Sequence, residues 1–478
     1  MQRDDLFIDP RGGNAPRMRD LGLRFVDALI DALSTAGSRR PLEIPPPRPF
    51  PDAATLPRDA VGVDRLLEDF RELIVPGAMN AAHPGYVGHM DTLAAAVPIF
   101  AELLAAGLNN NPLFFEQSPT LTRLEIELTR GFAALFGLGD ASGGSLTTAG
   151  TVANLTAMCA AARRARPDLA EQGFEAGPPP AAFVSELAHL SFEKAATLMG
   201  LGRRRLYRVA TDERRRLDPA ALERAIADAR ARGEKPFFVG ATAGTTVAGD
   251  IDPLPEIAEI AAREGLWFHV DAAYGGTLAL SENARGKLRG VERADSVTFN
   301  PQKWMYVPKA CAMILFRDLQ EARTLLRTPA PYAPARSDLD VNLGDHAVQG
   351  TRHADALKLW MGVRAVGLKR FGEMVDAQLA QARRLARRIA ADPALELIND
   401  PPETNIVVFG VRGGRDHAGR GNVRAQEAVA ARGRAWISCP QFRGTRVLRA
   451  LMLNPYTDDA VLDALLEDVR AAAPGVGV

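Results

Sequence analysis

The chain has 478 residues, 47% hydrophobic and 24% charged, an ordinary mixture for a globular protein of more than one domain. Lys plus Arg and Asp plus Glu both total 58, so the charge balance gives no support to nucleic acid or an anionic membrane as a partner. Three scattered cysteines, Cys159, Cys311 and Cys439, have no metal or redox spacing and suit a reducing, cytoplasmic setting, while Leu93 to Leu108, interrupted by Pro98 and Glu102, is too short for a membrane span.

Residues 1–90 carry an amphipathic helical pattern near Met18 to Leu33. A proline-rich passage follows from Pro41 to Pro57, then a second helical pattern from Val63 to Leu73. Such a segment has little core of its own and is expected to pack on another domain or subunit. Residues 91–344 alternate short apolar runs with helical ones. The strand-like runs are Ala182 to Val184, Pro236 to Gly240, Leu266 to Val270, Ser296 to Phe299 and Ala312 to Phe316. The helical ones are Val152 to Ala165, Glu193 to Met199, Pro219 to Arg232 and Leu254 to Glu264. This alternation predicts an α/β domain with a mainly parallel sheet, whose ligands sit at the carboxyl ends of strands. Residues 345–478 read as a smaller α+β domain. Its helices are expected at His353 to Phe371, Gly372 to Ala391 and Asp458 to Ala473, and its strands at Thr404 to Val411 and Arg446 to Leu453.

Four segments carry chemistry. In Asn300-Pro301-Gln302-Lys303-Trp304 a lysine, one of seven in the chain, follows a strand end within a turn. An amine that condenses with an aldehyde must lose its proton near neutral pH, which lysine can do and arginine cannot. In His269-Val270-Asp271-Ala272-Ala273-Tyr274 a strand delivers a carboxylate at its end, where it can pair with a pyridine nitrogen. In Thr148-Ala149-Gly150-Thr151 small and hydroxyl residues open a helix, a setting that suits a phosphate. His189, in Ala188-His189-Leu190-Ser191, offers a flat ring just past a strand. Taken singly these are a surface lysine, a strand cap, a helix cap and a packed histidine; their weight lies in the combination.

Together with the Gly244-Thr245-Thr246 turn, they resemble the group II pyridoxal-5'-phosphate (PLP) dependent amino acid decarboxylases. That family includes the aromatic L-amino acid, glutamate, cysteine sulfinate and diaminobutyrate decarboxylases. The resemblance covers nearly the whole chain. It implies a fold type I, aminotransferase-like large domain, an N-terminal dimer-packing segment, a small C-terminal domain, and a homodimer with active sites at the interface. It also implies that Lys303 holds PLP, Asp271 pairs with the ring nitrogen, Ala273 and His189 pack against the ring, and Gly150, Thr151 and Asn300 hold the phosphate. Thr246 would lie near the ring substituents. Tyr332 would return a proton to Cα from a mobile loop, and Arg449 would meet the substrate carboxylate.

The family usually has histidine before the lysine; here Gln302 can hydrogen-bond to phosphate or substrate but cannot titrate. The strip His83 to Met90 resembles the family's side-chain pocket. Tyr86 suits an aromatic substrate and His89 a polar or acidic one such as aspartate, glutamate or diaminobutyrate. No metal is expected. Two other readings are an aldehyde synthase, disfavoured by Tyr332, and a non-catalytic binding relative, disfavoured by the intact Lys303, Asp271 and His189. A nicotinamide enzyme lacks its glycine fingerprint here.

Overall fold

The computed structural model describes residues 6–46, 50–51, 53–54, 56–175, 177–328, 341–413 and 419–473. By packing, the chain divides into two compact units. One comprises Met1–His89, Val411–Leu448 and Asn454–Val478, the other Met90–Gly410 and Arg449–Leu453. Residues 345–410, which the sequence reading groups with the carboxyl-terminal segment, cluster with the larger unit. The reason is the long helix Leu368–Ala390, which packs on the 3-10 turns Gly275–Leu280. Gly372 permits that approach, because a Cβ there would stand 2.4 Å from the Leu280 carbonyl oxygen.

The larger unit is built on a seven-stranded sheet: β1 (Gly143–Thr147), β2 (Pro180–Ser185), β3 (Leu206–Val209), β4 (Lys235–Thr242), β5 (Trp267–Asp271), β6 (Ser296–Phe299) and β7 (Ala312–Phe316). Their order is β1-β7-β6-β5-β4-β2-β3, and only β7 runs antiparallel to its neighbours. Strands β2, β5, β6 and β7 are buried at every residue, as a sheet covered on both faces requires. The alanine-rich helix Gly150–Ala165 packs across β4, β6 and β7, burying Ala153, Ala157, Ala160 and Ala161. The mainly parallel α/β sheet is therefore as expected.

Three details differ. The link from β5 to β6, to which the sequence assigned no element, is a run of 3-10 turns at Gly275–Leu280, Arg285–Leu288 and Val291–Arg293. The two helices after residue 345 are Ala356–Val366 and Leu368–Ala390, so they part at Gly367 and not at Phe371, because Gly367 takes a φ of +77° that a side chain would resist. Strands β1 and β3 were not anticipated. The larger unit also holds a small sheet of Leu395–Leu397 and most of Ile406–Val411 and Leu448–Leu451.

In the smaller unit, helix Ala15–Ser34 buries only Ala28 and leaves Leu23, Phe25, Ile30 and Leu33 exposed. Helices Arg420–Arg432 and Asp459–Ala471 pack together, and Arg432 and Arg434 grip the fully buried Asp468 carboxylate. Among the described residues no helix is long and apolar enough to cross a membrane.

Candidate active site

Strands β5 and β6 are parallel neighbours with Asp271 opposite Thr298, so Asp271 and the turn after Phe299 share one sheet edge. That turn carries Lys303, whose backbone N–H donates to the Asn300 carbonyl at 3.0 Å. Behind it, Trp304 stacks on Tyr274 at 5.1 Å and donates from its indole N–H to Gln378. The Gln378 amide donates in turn to Tyr306 and to the Leu453 carbonyl, where the Tyr306 hydroxyl also ends at 2.8 Å. Lys303 is thus anchored by a buried polar network on one side. Burial holds its amine below the ordinary lysine value, against the pull of the Asp271 and Asp91 carboxylates and with a further push from Lys309.

Asp271 is 5% exposed. One carboxylate oxygen accepts the Ala273 N–H at 3.1 Å, and the other accepts Asn154 Nδ2 at 2.9 Å. His189 lies beyond β2, with its Nδ1 accepting the Ser191 N–H at 3.2 Å. Burial lowers its pKa, Asp271 opposes that, and Lys303 and Lys194 add to it. Lys303, Asp271 and His189 therefore lie within electrostatic reach of one another.

At Gly150 the helix opens beside Asn300: a Cβ on Gly150 would stand 2.9 Å from Asn300 Nδ2. Asn300 is buried, and its Oδ1 has no hydrogen-bond partner. Thr151 follows in the first helical turn. The Gly244–Thr246 turn is closed by Thr245, which bonds Asp250 through both backbone and hydroxyl. Arg449 donates to the Thr246 carbonyl at 2.5 Å. Gln302 turns its side-chain oxygen back onto the Cys311 N–H at 2.5 Å.

The larger unit thus holds Lys303, Asp271, Ala273, His189, Gly150, Thr151, Thr246, Asn300, Gln302 and Arg449. Tyr86 and His89 belong to the smaller unit, where both rings face Trp436, Tyr86 stacked at 5.3 Å and His89 tilted at 4.9 Å. Tyr332 lies outside the described residues. Sequence reasoning gave no role to Asn154, Asp91 or Trp436. For Asn154 a signal existed, since it is the one amide in an otherwise alanine-rich buried stripe, Ala153, Ala157, Ala160 and Ala161.

Comparison with known proteins fits this geometry. The model of the pyridoxal-dependent decarboxylase conserved domain matches residues 48–412. Cysteine sulfinic acid decarboxylase of Mus musculus is 32% identical over 423 residues, 85% of each chain. An acidic amino acid decarboxylase of Xenopus tropicalis is 32% identical over 336 residues, 70% of this chain and 66% of that one. The crystal structure of Oryza sativa TDC with PLP and tryptamine superposes with a TM-score of 0.90 at 25% identity, covering 98% of this chain and 99% of that one. The chain belongs to the pyridoxal-dependent decarboxylase family: it has the fold type I architecture and is a PLP-dependent carboxy-lyase acting on an amino acid. The residues present fit that cofactor. A buried amine and a buried carboxylate share one sheet edge, and a glycine-opened helix faces an asparagine amide whose carbonyl the protein leaves unpartnered.

Proposed function

We propose that this chain removes the α-carboxylate of an L-amino acid with an acidic or polar side chain, Lys303 holding the cofactor. The observation that carries the reading is the meeting of Asp271 and the Lys303 turn at the ends of adjacent parallel strands, with His189 bearing on both. Bound PLP supplies an electron-poor ring that takes up the electron pair left when CO2 departs. Asp271 keeps the ring nitrogen protonated, so that this withdrawal is strong. Lys303, its charge disfavoured by burial, is suited to exchange with the substrate amine. His189 and Ala273 would pack against the ring, and Gly150, Thr151 and Asn300 would hold its phosphate. Arg449 orients the substrate carboxylate. Tyr332 or His189 returns a proton to Cα.

Two relatives support the side-chain class: one is named for cysteine sulfinic acid and the other for acidic amino acids. Tyr86, which suits an aromatic side chain in the strip His83 to Met90, keeps an aromatic substrate as the second reading. The exposed apolar faces of Ala15–Ser34 and of Ala96–Leu108, where Val97, Phe100, Leu103, Leu104 and Leu108 face outward, support a homodimer with active sites at its interface. Cys159, Cys311 and Cys439 are free thiols, which agrees with a cytoplasmic setting.

The deciding assay incubates the protein and PLP with each L-amino acid and measures CO2 and amine. Turnover of cysteine sulfinate, aspartate, glutamate or diaminobutyrate above the aromatic amino acids is the expected result. Preference for an aromatic substrate would replace the acidic reading, and release of aldehyde, ammonia and peroxide would make the chain an aldehyde synthase.

A further inference from the structure

Five polar side chains form a line through the core and end at Asp271. Trp267 Nε1–H donates to Ser296 Oγ at 2.8 Å, and Ser296 Oγ lies 2.8 Å from His269 Nδ1. His269 Nε2 lies 3.0 Å from Asn154 Oδ1, and Asn154 Nδ2 donates to Asp271 at 2.9 Å. The same amide also donates to Ser191 Oγ at 2.8 Å and accepts from Thr298 Oγ1 at 2.6 Å. Asn154 thus uses both its N–H bonds and both carbonyl lone pairs.

The donor directions follow from chemistry. A carboxylate only accepts, so the NH2 end of Asn154 must face Asp271 and its oxygen must face His269. His269 must then carry its proton on Nε2, which leaves Nδ1 to accept the Ser296 hydroxyl. Ser296 in turn accepts the Trp267 indole N–H. Every hydrogen in the line therefore points towards the carboxylate, and each bond polarises the next in the same sense. His269 is fully buried, and burial brings its pKa down to about 4, so it stays neutral and the line ends in one charge, on Asp271.

We infer that Asn154 is the positioning residue that aims the Asp271 carboxylate at the ring nitrogen of bound PLP, with Thr298, Ser191 and His269 fixing the amide. This rests on the role of Asp271 proposed above. Asn154 touches neither substrate nor the reacting bonds; it acts through Asp271. With the amide removed, Asp271 keeps only the Ala273 N–H as donor and can swing away from the ring.

The test reconstitutes the holoenzyme with PLP carrying nitrogen-15 in its ring and reads the ring-nitrogen resonance beside kcat and KM. In Asp271→Asn the resonance is expected to move to the unprotonated position; a wild-type resonance there would overturn the role of Asp271 itself. With that control in hand, Asn154→Ala is expected to shift the resonance part of the way and to lower kcat on the order of tenfold or more, with KM little changed. A wild-type resonance and kcat in Asn154→Ala, whatever its melting temperature, would overturn the assignment. Asn154→Asp decides alone if the alanine variant does not fold. It is nearly isosteric and still accepts from Thr298 and His269, but when ionised it brings no donor to Asp271. At the alkaline end of the pH profile, where the shared proton is lost, kcat is expected to fall on the order of tenfold or more, and full turnover there would refute the inference.

Discussion

The two ends of the proposed cofactor site are finished in opposite ways. At the Asp271 end the protein completes its own hydrogen bonds: Asn154 is saturated, His269 is fully buried, and both carboxylate oxygens have N–H donors. At the Gly150 end the protein leaves space and an idle amide: Gly150 has no Cβ where one would crowd Asn300, and Asn300 Oδ1 is buried without a partner. The first end must hold a charge in a fixed direction, which calls for preorganised dipoles. On the proposed reading the second end admits a phosphate, which suits a position without a Cβ and an amide able to turn its NH2 towards an anion.

Lys303 shares its turn with Asn300 and lies within electrostatic reach of Asp271, and its removal gives the largest effect. Lys303→Ala should lower turnover about a thousandfold or more and abolish the covalent mass gain after borohydride reduction with PLP. Both ends survive in this variant, so PLP should still bind reversibly and be seen by fluorescence. A variant that neither turns over nor binds PLP would mean that the two ends are not a cofactor site by themselves.

Acid should strike the finished end first. The pKa of His269 is about 4 in the folded protein against an ordinary 6.5, so the unfolded chain binds the extra proton as pH falls between those values. Stability is therefore full above pH 6.5 and declines towards pH 4, with His269 contributing about 3 kcal/mol of that loss. Denaturant unfolding across this range should show a flatter dependence in His269→Gln, although that variant starts from a lower stability at neutral pH. An equally steep curve in both proteins would assign the acid sensitivity to other groups.

The open end is probed by a single methyl. Gly150→Ala places a Cβ 2.9 Å from Asn300 Nδ2, and the affinity of the apoenzyme for PLP should fall about tenfold in a fluorescence titration. Alanine is otherwise favourable in a helix by up to about 1 kcal/mol, which offsets the cost of moving Asn300, so thermal stability without cofactor should change little. Unchanged affinity would remove Gly150 and Asn300 from the phosphate site.

What the sequence revealed and what it hid follow from how local each signal is. Strands β6 and β7 were read to the residue because they are unbroken apolar runs bounded by Asn300 and by Arg317-Asp318. Strand β1 hid behind Gly143-Gly144-Ser145, and β3 followed a run of arginines with its own arginine in the middle. Lys303 and Asp271 were legible because their meaning is a residue type at a strand end. Asn154 acquires meaning only through partners 37, 115, 117 and 144 residues away, on other elements. Trp436 likewise meets Tyr86 and His89 only after folding, and no local pattern around either announces it.

The smallest expected effect falls on Gln302, which stands where the resemblance leads one to expect histidine. Its side-chain oxygen accepts the Cys311 N–H, while its own N–H donates to the Cys311 carbonyl at 3.1 Å. The pair closes the loop that bears Lys303 much as a β-bridge would, with the Gln302 side-chain oxygen standing in for a backbone carbonyl. Gln302→Ala leaves the buried Cys311 N–H unpaired and should cost roughly 1–3 kcal/mol in denaturant unfolding. Lys303 is anchored independently through Trp304 and Gln378, so kcat should change less than about tenfold. The reverse outcome, intact stability with turnover lost, would move Gln302 from the loop into the chemistry and would give it, through its remaining NH2, the contact with phosphate or substrate that the resemblance implies.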